Sequence, residues 1–431
     1  MRLRTSFKRD TAPEDLLRLS ERLSTIGDDD GGAAQATPET YQPFQLMGRK
    51  VILSDETLGA ISQFEMFASR CDCLIGTSPL GSSLARILAR MDGIFVTLLN
   101  GSRADYRICC YLDYLKKTGA WTKAIPDKTK MEALGLASID REVLEASRCA
   151  HQMMAIEINS LCGAAPTLIT PSHVLALHQA ISQTFHPGAP AGLRGWEVDD
   201  RTSLAESGRA YLPPSPLELP EYLQDLVAFL NNSKLGPSAK AALMHYQMEA
   251  TKMFATDIDQ LARSLLVGIW RNAGLIKHIM APIAITPALA QRNHDEVLQP
   301  YQFRRGVSEM QMMDDWVYHT ACASRNAFEV AKCAYGLTRD AVENWKQTLN
   351  SEGSRLTEMT RRFLISIIGA PIFSASTIAE AIGTTFTTAA KLIGAAEKAG
   401  IVVQVSQGRR NRVYECPEAT GIFDAIMAEM A

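Results

Sequence analysis

The amino-acid sequence predicts a mainly α-helical protein with a small β-hairpin near its C-terminal end. Between about residues 55 and 350, apolar residues recur at steps of three and four, which places them on one face of a helix. The alternation of apolar and polar residues that is typical of strands is scarce in this region. It occurs in the late stretches IVVQV and RVYEC, which flank a glycine turn and therefore indicate a hairpin.

Length and composition exclude some classes of protein. The 431 residues are enough for two or three domains, and the formal charge of −3 gives no general attraction to nucleic acids or acidic membranes. Neither a signal peptide nor an apolar run of membrane-spanning length occurs, so we expect a cytoplasmic protein that makes no membrane contact. The nine cysteines lack the paired spacing of a zinc site, so we expect no structural metal.

The pattern divides the chain into four segments. Residues 1–43 combine a short amphipathic helix over 13–25 with a linker rich in aspartate and glycine. Residues 44–140 are expected to form an N-terminal helical region, and residues 141–345 a helical core. Residues 356–418 are expected to form a separate C-terminal module.

The C-terminal module carries clear start and stop signals. A first helix, FLISIIG, ends at Gly369, and a second, short helix ends at Gly383. A longer third helix is capped by Thr384 or Thr385 and ends at Gly400. Three helices followed by a hairpin predict a winged helix-turn-helix, in which the third helix enters the DNA major groove.

The stretch MEATKMFATDIDQLARSLLVG, from Met248 to Gly268, predicts a helix, a short turn and a second helix. This arrangement can bind an anion, because free backbone N–H groups point out of the turn. The turn, however, contains Asp257 and Asp259 where an anion site would favour glycine. The stretch therefore raises the question whether it is a nucleotide site or a fold that has lost one.

From about Ser82 to Glu415 the chain resembles proteins of the Fic family, specifically those with an N-terminal regulatory helix and a C-terminal winged helix. Five segments in the family's order carry the resemblance: EVLEASRCA (142–150), LALHQAI with GLRGWEV (175–198), YLPPSPLELPEYLQDLVAFLNN (211–232), AKAALMHYQMEATKMF (239–254) and IAITPALAQRNHDEVLQ (283–299). The resemblance implies a Fic-like helical core and, for active members, transfer of AMP or another phosphate-containing group onto a hydroxyl.

The family's motif, His-Pro-Phe-x-Asp/Glu-Gly-Asn-Gly-Arg-x-x-Arg, falls on residues 252–263. Two of its positions are retained, Phe254 and Arg263. The other specified positions all differ from the motif, and in its order they are Lys252, Met253, Thr256, Asp257, Ile258, Asp259 and Gln260.

Each change removes a function that the resemblance implies. Lys252 replaces the histidine base but is protonated at neutral pH unless it is strongly desolvated. Thr256 replaces the carboxylate that holds magnesium. Ile258 resists the positive φ that the glycines allow, and Asp257 and Asp259 place negative charge where phosphates would lie. Asp259 is suited instead to cap the next helix. We therefore expect a catalytically degenerate core without a metal or cofactor.

A remodelled enzyme is the alternative interpretation. Asp257 and Asp259 could hold a metal in a new arrangement, Lys252 could act as a desolvated base, and Arg263 could contact phosphate. Such a divergent nucleotidyl or phosphate transferase would require magnesium and ATP.

The regulatory helix of the family carries an inhibitory glutamate, which pairs with the last arginine of the motif. The matching stretch here is LARMDG, and the glutamate position holds Asp92. An Asp92–Arg263 pair could persist as a structural salt bridge, because a buried arginine without a partner costs several kcal/mol.

The C-terminal module supplies the candidate DNA-binding residues. Small hydroxyl groups and one cation lie in the N-terminal half of the third helix, and a basic cluster lies in the wing. Candidate contacts to bases are Thr385, Thr387, Thr388 and Lys391, and candidate contacts to the DNA backbone are Arg409, Arg410 and Arg412.

These observations favour a non-enzymatic DNA-binding regulator, which could be a homodimer, since operators are often two-fold symmetric. Its core would serve as a scaffold, a ligand sensor or a platform for a protein partner. The transferase is the alternative. A third hypothesis is an adaptor that binds only proteins.

Overall fold

The computed structural model describes residues 40–41, 43–121, 128–136, 139–162, 168–198, 210–211, 213–289, 308–406 and 411–430. The predicted helix over 13–25 and the wing residues Arg409 and Arg410 lie outside these ranges. Within them the chain is mainly helical, as the sequence predicts.

The described residues before 290 form ten helices and two short strands. They are β1 (Thr40–Tyr41), α1 (Asp55–Gly76), α2 (Gly81–Leu99), α3 (Tyr106–Lys117), α4 (Lys128–Ala133), α5 (Arg141–Cys162), α6 (Pro171–Phe185), β2 (Ala210–Tyr211), α7 (Leu219–Asn232), α8 (Pro237–Ala250), α9 (Ile258–Asn272) and α10 (Ile285–Leu289). Strands β1 and β2 pair in parallel.

The described residues after 307 form six helices and three strands. They are α11 (Glu309–Ser351), α12 (Glu358–Gly369), β3 (Ile372–Ser374), α13 (Ala375–Ile382), α14 (Phe386–Lys398), β4 (Val403–Gln404), β5 (Val413–Glu415), α15 (Pro417–Thr420) and α16 (Ile422–Met430).

Helix α2 lies in the centre of the molecule and packs along α5. Thirteen of its nineteen residues are buried, so it contacts neighbours on most of its circumference. The helices approach most closely at Gly93, where a Cβ atom would lie 2.4 Å from the carbonyl oxygen of Ala150. This position therefore requires glycine for packing.

Helix α11, 43 residues long, joins the core to the C-terminal elements. It packs against α1 and α8, and the indole N–H of Trp316 donates to the carbonyl oxygen of Ala242 at 2.9 Å. It also packs against α16, a helix beyond the last predicted segment. The chain thus returns to the core after residue 418.

The C-terminal elements follow the order α12, β3, α13, α14, β4, β5. The three strands form an antiparallel sheet in the order β3-β5-β4. The sequence did not predict β3, which lies between the end of α12 and the cap of α13. Ser374 ends the strand and also caps α13.

Hydrogen bonds hold this sheet against α3. Arg107 Nε and Nη2 donate to the two carboxylate oxygens of Glu415 at 2.6 and 2.7 Å, and the Tyr111 hydroxyl donates to Oε2 at 2.7 Å.

None of the described helices has the length and hydropathy needed to cross a membrane.

Candidate functional site

The helix–turn–helix around residue 255 consists of α8, the loop 251–257 and α9. Two loop residues, Lys252 and Asp257, adopt positive φ angles of 47° and 55°. Both angles belong to the αL conformation. Asp257 falls on a glycine position of the family motif, and aspartate tolerates αL better than most residues do. Ile258 avoids this conformation because it is the first residue of α9.

Asp259 does not cap α9, contrary to the prediction. Asp257 is at the N-cap position, without a side-chain capping bond, and Asp259 lies in the first helical turn. The helix starts earlier because Asp257, rather than Ile258, takes the αL conformation. The first-turn carboxylate of Asp259 lies instead beside His245 and Arg263 and near the positive end of the helix dipole.

Arg194 fixes the shape of the loop. Its backbone N–H donates to the carbonyl oxygen of Met253 at 3.0 Å, and Nε donates to the carbonyl oxygen of Lys252 at 2.9 Å. Nη2 donates to the carbonyl oxygen of Pro214 at 2.7 Å. This buried guanidinium is therefore engaged by backbone carbonyls, and it braces the loop against the segment before α7.

His178 supports the other side of the loop. Its Nδ1 accepts the backbone N–H of Gly192 at 2.9 Å, so Nε2 carries the proton and donates to the carbonyl oxygen of Thr256 at 2.8 Å. The ring also packs on Phe254, with centroids 4.7 Å apart. The retained phenylalanine thus has a packing role.

A cavity of about 430 Å³ opens beside the loop. It brings together six of the seven motif positions that were candidate site residues: Lys252, Phe254, Thr256, Asp257, Asp259 and Gln260. The seventh, Arg263, is outside the cavity lining.

The charged groups of the cavity are engaged with one another. Lys252 Nζ lies 3.7 Å from Glu249 Oε2, and His245 Nε2 lies 3.0 Å from Asp259 Oδ1. Burial, followed by the charge of Asp259, raises the pKa of Glu249. Gln260 donates to Asn100 Oδ1 at 2.8 Å and so ties α9 to the end of α2.

Arg263 lies in the protein interior, with a side chain that is 5% exposed. The ion pair described for it is with Asp259, at 3.6 Å from Nη1 to Oδ1. Asp92 accepts the backbone N–H of Ala284 at 2.7 Å. Burial raises the pKa of Asp92, and the charge of the nearby Arg263 opposes this rise. The residue that matches the family's inhibitory glutamate therefore lies near the arginine, although the described salt bridge joins Arg263 to a different carboxylate.

Glu157 of α5 completes this buried group. Burial first, and then the charge of Asp92, raise the pKa of Glu157 well above its ordinary value. Both carboxylate oxygens of Glu157 are buried without a hydrogen-bond partner in the described structure, so Glu157 interacts with Asp92 and Arg263 through charge.

Sequence reasoning missed four residues of this region, namely Glu157, Arg194, His245 and Glu249. His245 and Glu249 had a detectable signal, because they lie four residues apart on one face of a helix. Arg194 lay within the GLRGWEV segment that carries the resemblance but was given no role, and Glu157 had no signal of its own, since the partners of both residues are distant in sequence.

The candidate DNA-contact residues lie on α14 and next to β5. Thr385 caps α14 and accepts the backbone N–H of Thr388 at 3.2 Å, while its side chain remains exposed. Thr387, Lys391 and Arg412 are exposed, and Thr388 is partly buried. The structure thus gathers the four α14 candidates at one end of the helix.

The fold and the loop define a mainly helical protein whose site is a helix–loop–helix beside a cavity. Residues 168–256 match the family model described as the Fic/DOC family. The resemblance drawn from the sequence is therefore confirmed for this segment, which ends inside the loop.

Solved structures of the same family are also similar to the chain. A Fic family protein from Desulfovibrio desulfuricans G20 is 14% identical, with a TM-score of 0.43, over 85% of this chain and 97% of that one. Fic-1 from C. elegans is 16% identical, with a TM-score of 0.38, over 64% of this chain and 71% of that one. The comparison with curated proteins gives no match.

Proposed function

We propose that the protein is a non-enzymatic DNA-binding regulator with a catalytically degenerate Fic-like core. In this proposal α12 to β5 form a winged helix-turn-helix, α14 is the recognition helix and the β4–β5 hairpin is the wing. The single observation that carries it is the two-sided character of α14. The helix buries Ala389, Ile393 and Ala396 and leaves Thr387 and Lys391 in solvent.

The exposed side of α14 has the chemistry of a DNA-reading surface. Hydroxyl groups and a lysine can hydrogen-bond to base edges and phosphates, and the small residues Ala390 and Gly394 permit close approach to the groove. Arg412, exposed beside β5, belongs to the basic cluster of the wing. The chain has a formal net charge of −3, so attraction to DNA requires a local basic site. The wing would supply this site through contacts to the DNA backbone, while α14 would contact the bases.

The loop supports the non-enzymatic half of the proposal. Its cavity has an aspartate at each of two motif glycine positions, and neither Lys252 nor Thr256 can replace the base and the metal ligand that the motif supplies. Lys252 Nζ already contacts the Glu249 carboxylate at 3.7 Å, so the lysine has a structural partner where the motif has a base.

DNA capture in the native host tests the proposal. We expect crosslinking and sequencing to recover discrete genomic sites for the wild-type protein, and the triple variant Arg409→Ala/Arg410→Ala/Arg412→Ala to lose them. With the purified protein, a plot of the logarithm of the DNA-binding constant against the logarithm of the salt concentration has a negative slope. The same variant should make this slope shallower by about 3, since each phosphate contact contributes about one unit.

A matched control removes three exposed arginines outside the C-terminal module, Arg70, Arg141 and Arg339, and should retain the sites. Loss in both triple variants would indicate a general charge effect. The absence of sites for the wild type would reject DNA binding and favour a protein-binding adaptor, for which the 63% exposed Phe386 offers an apolar contact.

The transferase is retained as a second candidate because the cavity persists beside the loop. It requires magnesium-dependent ATP binding that is lost on Arg263→Lys, a change that keeps the charge. Isothermal titration calorimetry with ATP and Mg²⁺ distinguishes it from the regulator, for which we expect no heat of binding.

A further inference from the structure

Three potential metal ligands converge beside the loop, at positions outside the family motif's metal-binding carboxylate. His245 and Glu249 lie one turn apart on α8, and Asp259 lies in the first turn of α9. One ligand atom from each residue lies within 4.8 Å of the others, the one such group among the described residues. We propose that His245, Glu249 and Asp259 bind a first-row divalent transition-metal ion, such as Zn²⁺.

The spacing suits an ion of this size. Ligand atoms about 2.0–2.2 Å from a tetrahedral Zn²⁺ lie about 3.3–3.6 Å apart. His245 Nε2 and Asp259 Oδ1 are 3.0 Å apart and need to separate only slightly to admit the ion. One oxygen of Glu249 lies within 4.8 Å of a ligand atom of each of the other two residues, so a side-chain rotation brings it into range.

The ligand types select the class of metal. One imidazole nitrogen and two carboxylate oxygens suit Zn²⁺, Mn²⁺ or Fe²⁺, whereas Mg²⁺ and Ca²⁺ favour sites made only of oxygen. The His245 ring packs edge-on against Trp316, with centroids 5.1 Å apart, which restricts its orientation. Binding requires the tautomer with its proton on Nδ1, so that Nε2 offers its lone pair to the ion.

A second observation points to a cation in the cavity that Glu249 and Asp259 line. Asp257 lines it with a side chain that is 3% exposed, and its Oδ2 has no hydrogen-bond partner in the described structure. His186 Nε2 lies 3.3 Å from the other oxygen. A buried carboxylate oxygen without a donor is costly, and a nearby divalent ion reduces that cost.

Two cations compete for the ligands, and neither is held strongly there. Lys252 contacts Glu249 at 3.7 Å through a side chain that is 33% exposed, so it can turn into solvent. Arg263 contacts Asp259 at 3.6 Å without a hydrogen bond, and it also lies near the carboxyl groups of Asp92 and Glu157 in the interior.

Titration of the reduced full-length protein with Co²⁺, a spectroscopic substitute for Zn²⁺, tests the proposal. We expect visible d–d absorption without the charge-transfer band of cysteine ligation, and displacement of Co²⁺ by Zn²⁺. Asp259→Asn and His245→Gln should each weaken Zn²⁺ binding by at least about tenfold. Replacing a residue that only hydrogen-bonds to a metal ligand already costs about 10–100-fold in affinity, and loss of a ligand itself should cost no less. Lys252→Asn should strengthen binding, because it removes the competitor and suits the positive φ.

The matched control is His173→Gln, the same substitution at an exposed histidine on α6, which should keep wild-type affinity. Circular dichroism identifies any variant that fails to fold, and Asp259→Asn, partly exposed and isosteric, remains informative if His245→Gln does not fold. No Zn²⁺ binding at millimolar concentration, equal loss in His173→Gln, or equal affinity for Mg²⁺ would each overturn the proposal. DNA capture reads out the regulator separately, so either proposal can fail alone.

Discussion

Arg263 lies in the interior next to three carboxyl groups, those of Asp92, Glu157 and Asp259. None of its guanidinium nitrogens makes a hydrogen bond in the described structure. The residue is therefore held mainly by charge, and its partners belong to three different helices. Its survival at the last motif position is explained by this buried charge group without any role in catalysis.

Replacing Arg263 by methionine should destabilise the protein by about 3–5 kcal/mol, because the change leaves buried carboxyl groups without their cation. Urea denaturation followed by circular dichroism measures the free energy of unfolding. Arg339→Met, which removes an exposed arginine paired only with its neighbour Asp340, should change it by less than about 1 kcal/mol. Equal stability of Arg263→Met and the wild type would contradict the structural role.

The contact of α2 with α5 shows how an element can depend on one small residue. Gly93 lies next to Asp92 in the stretch that resembles the inhibitory motif, so the sequence suggested a regulatory meaning for this turn. In the structure, the backbone of α5 passes so close that no side chain fits at Gly93. Packing is thus sufficient to explain this glycine.

We expect Gly93→Ala to destabilise the protein by about 1–3 kcal/mol, because the added methyl group meets backbone atoms that cannot rotate away. The matched control is Gly268→Ala in α9, where no atom lies within 4 Å of the new Cβ. That change should be neutral or stabilise by up to about 1 kcal/mol. Thermal unfolding of both variants checks the prediction, and a neutral Gly93→Ala would show that α5 can move.

At the scale of the whole molecule, Glu415 joins the C-terminal module to α3. Burial acts to raise its pKa, but hydrogen bonds from Arg107, Tyr111 and Thr420 outweigh burial and lower the pKa below its ordinary value of 4.5. A carboxyl group with a lowered pKa stabilises the folded state above the unfolded pKa, and this stabilisation is lost as the pH falls through the folded pKa.

Glu415→Gln should therefore lower the melting temperature at neutral pH, and its difference from the wild type should decrease as the pH falls below about 4.5. Calorimetry between neutral and acidic pH measures this difference. Glu380→Gln, at an exposed glutamate of α13, serves as the control and should show no such trend. If the difference in melting temperature between Glu415→Gln and the wild type did not change with pH, the contact between the C-terminal module and α3 would depend on side-chain shape and not on the charge of Glu415.

The sequence by itself determined the helical class, the C-terminal hairpin and the resemblance that the family model confirms over residues 168–256. These features were predictable because periodicity, caps and glycine stops are local, as the Thr385 cap and the Gly383 stop illustrate. The sequence did not predict strand β3, because a run of three residues between two helices is too short to show an alternating pattern. Its pairing with β5 is also a long-range contact.

Only the tertiary structure decided which charged groups share the site. Asp259 was expected to cap a helix, but the fold places it against His245 and Arg263. Glu157, from α5, reaches the same interior as Asp92 and Arg263 through helix packing. Such convergence depends on how faces of distant helices meet, and the free energy of a buried charge depends on the partners that packing supplies. A sequence pattern describes one helix face at a time and therefore does not contain this information.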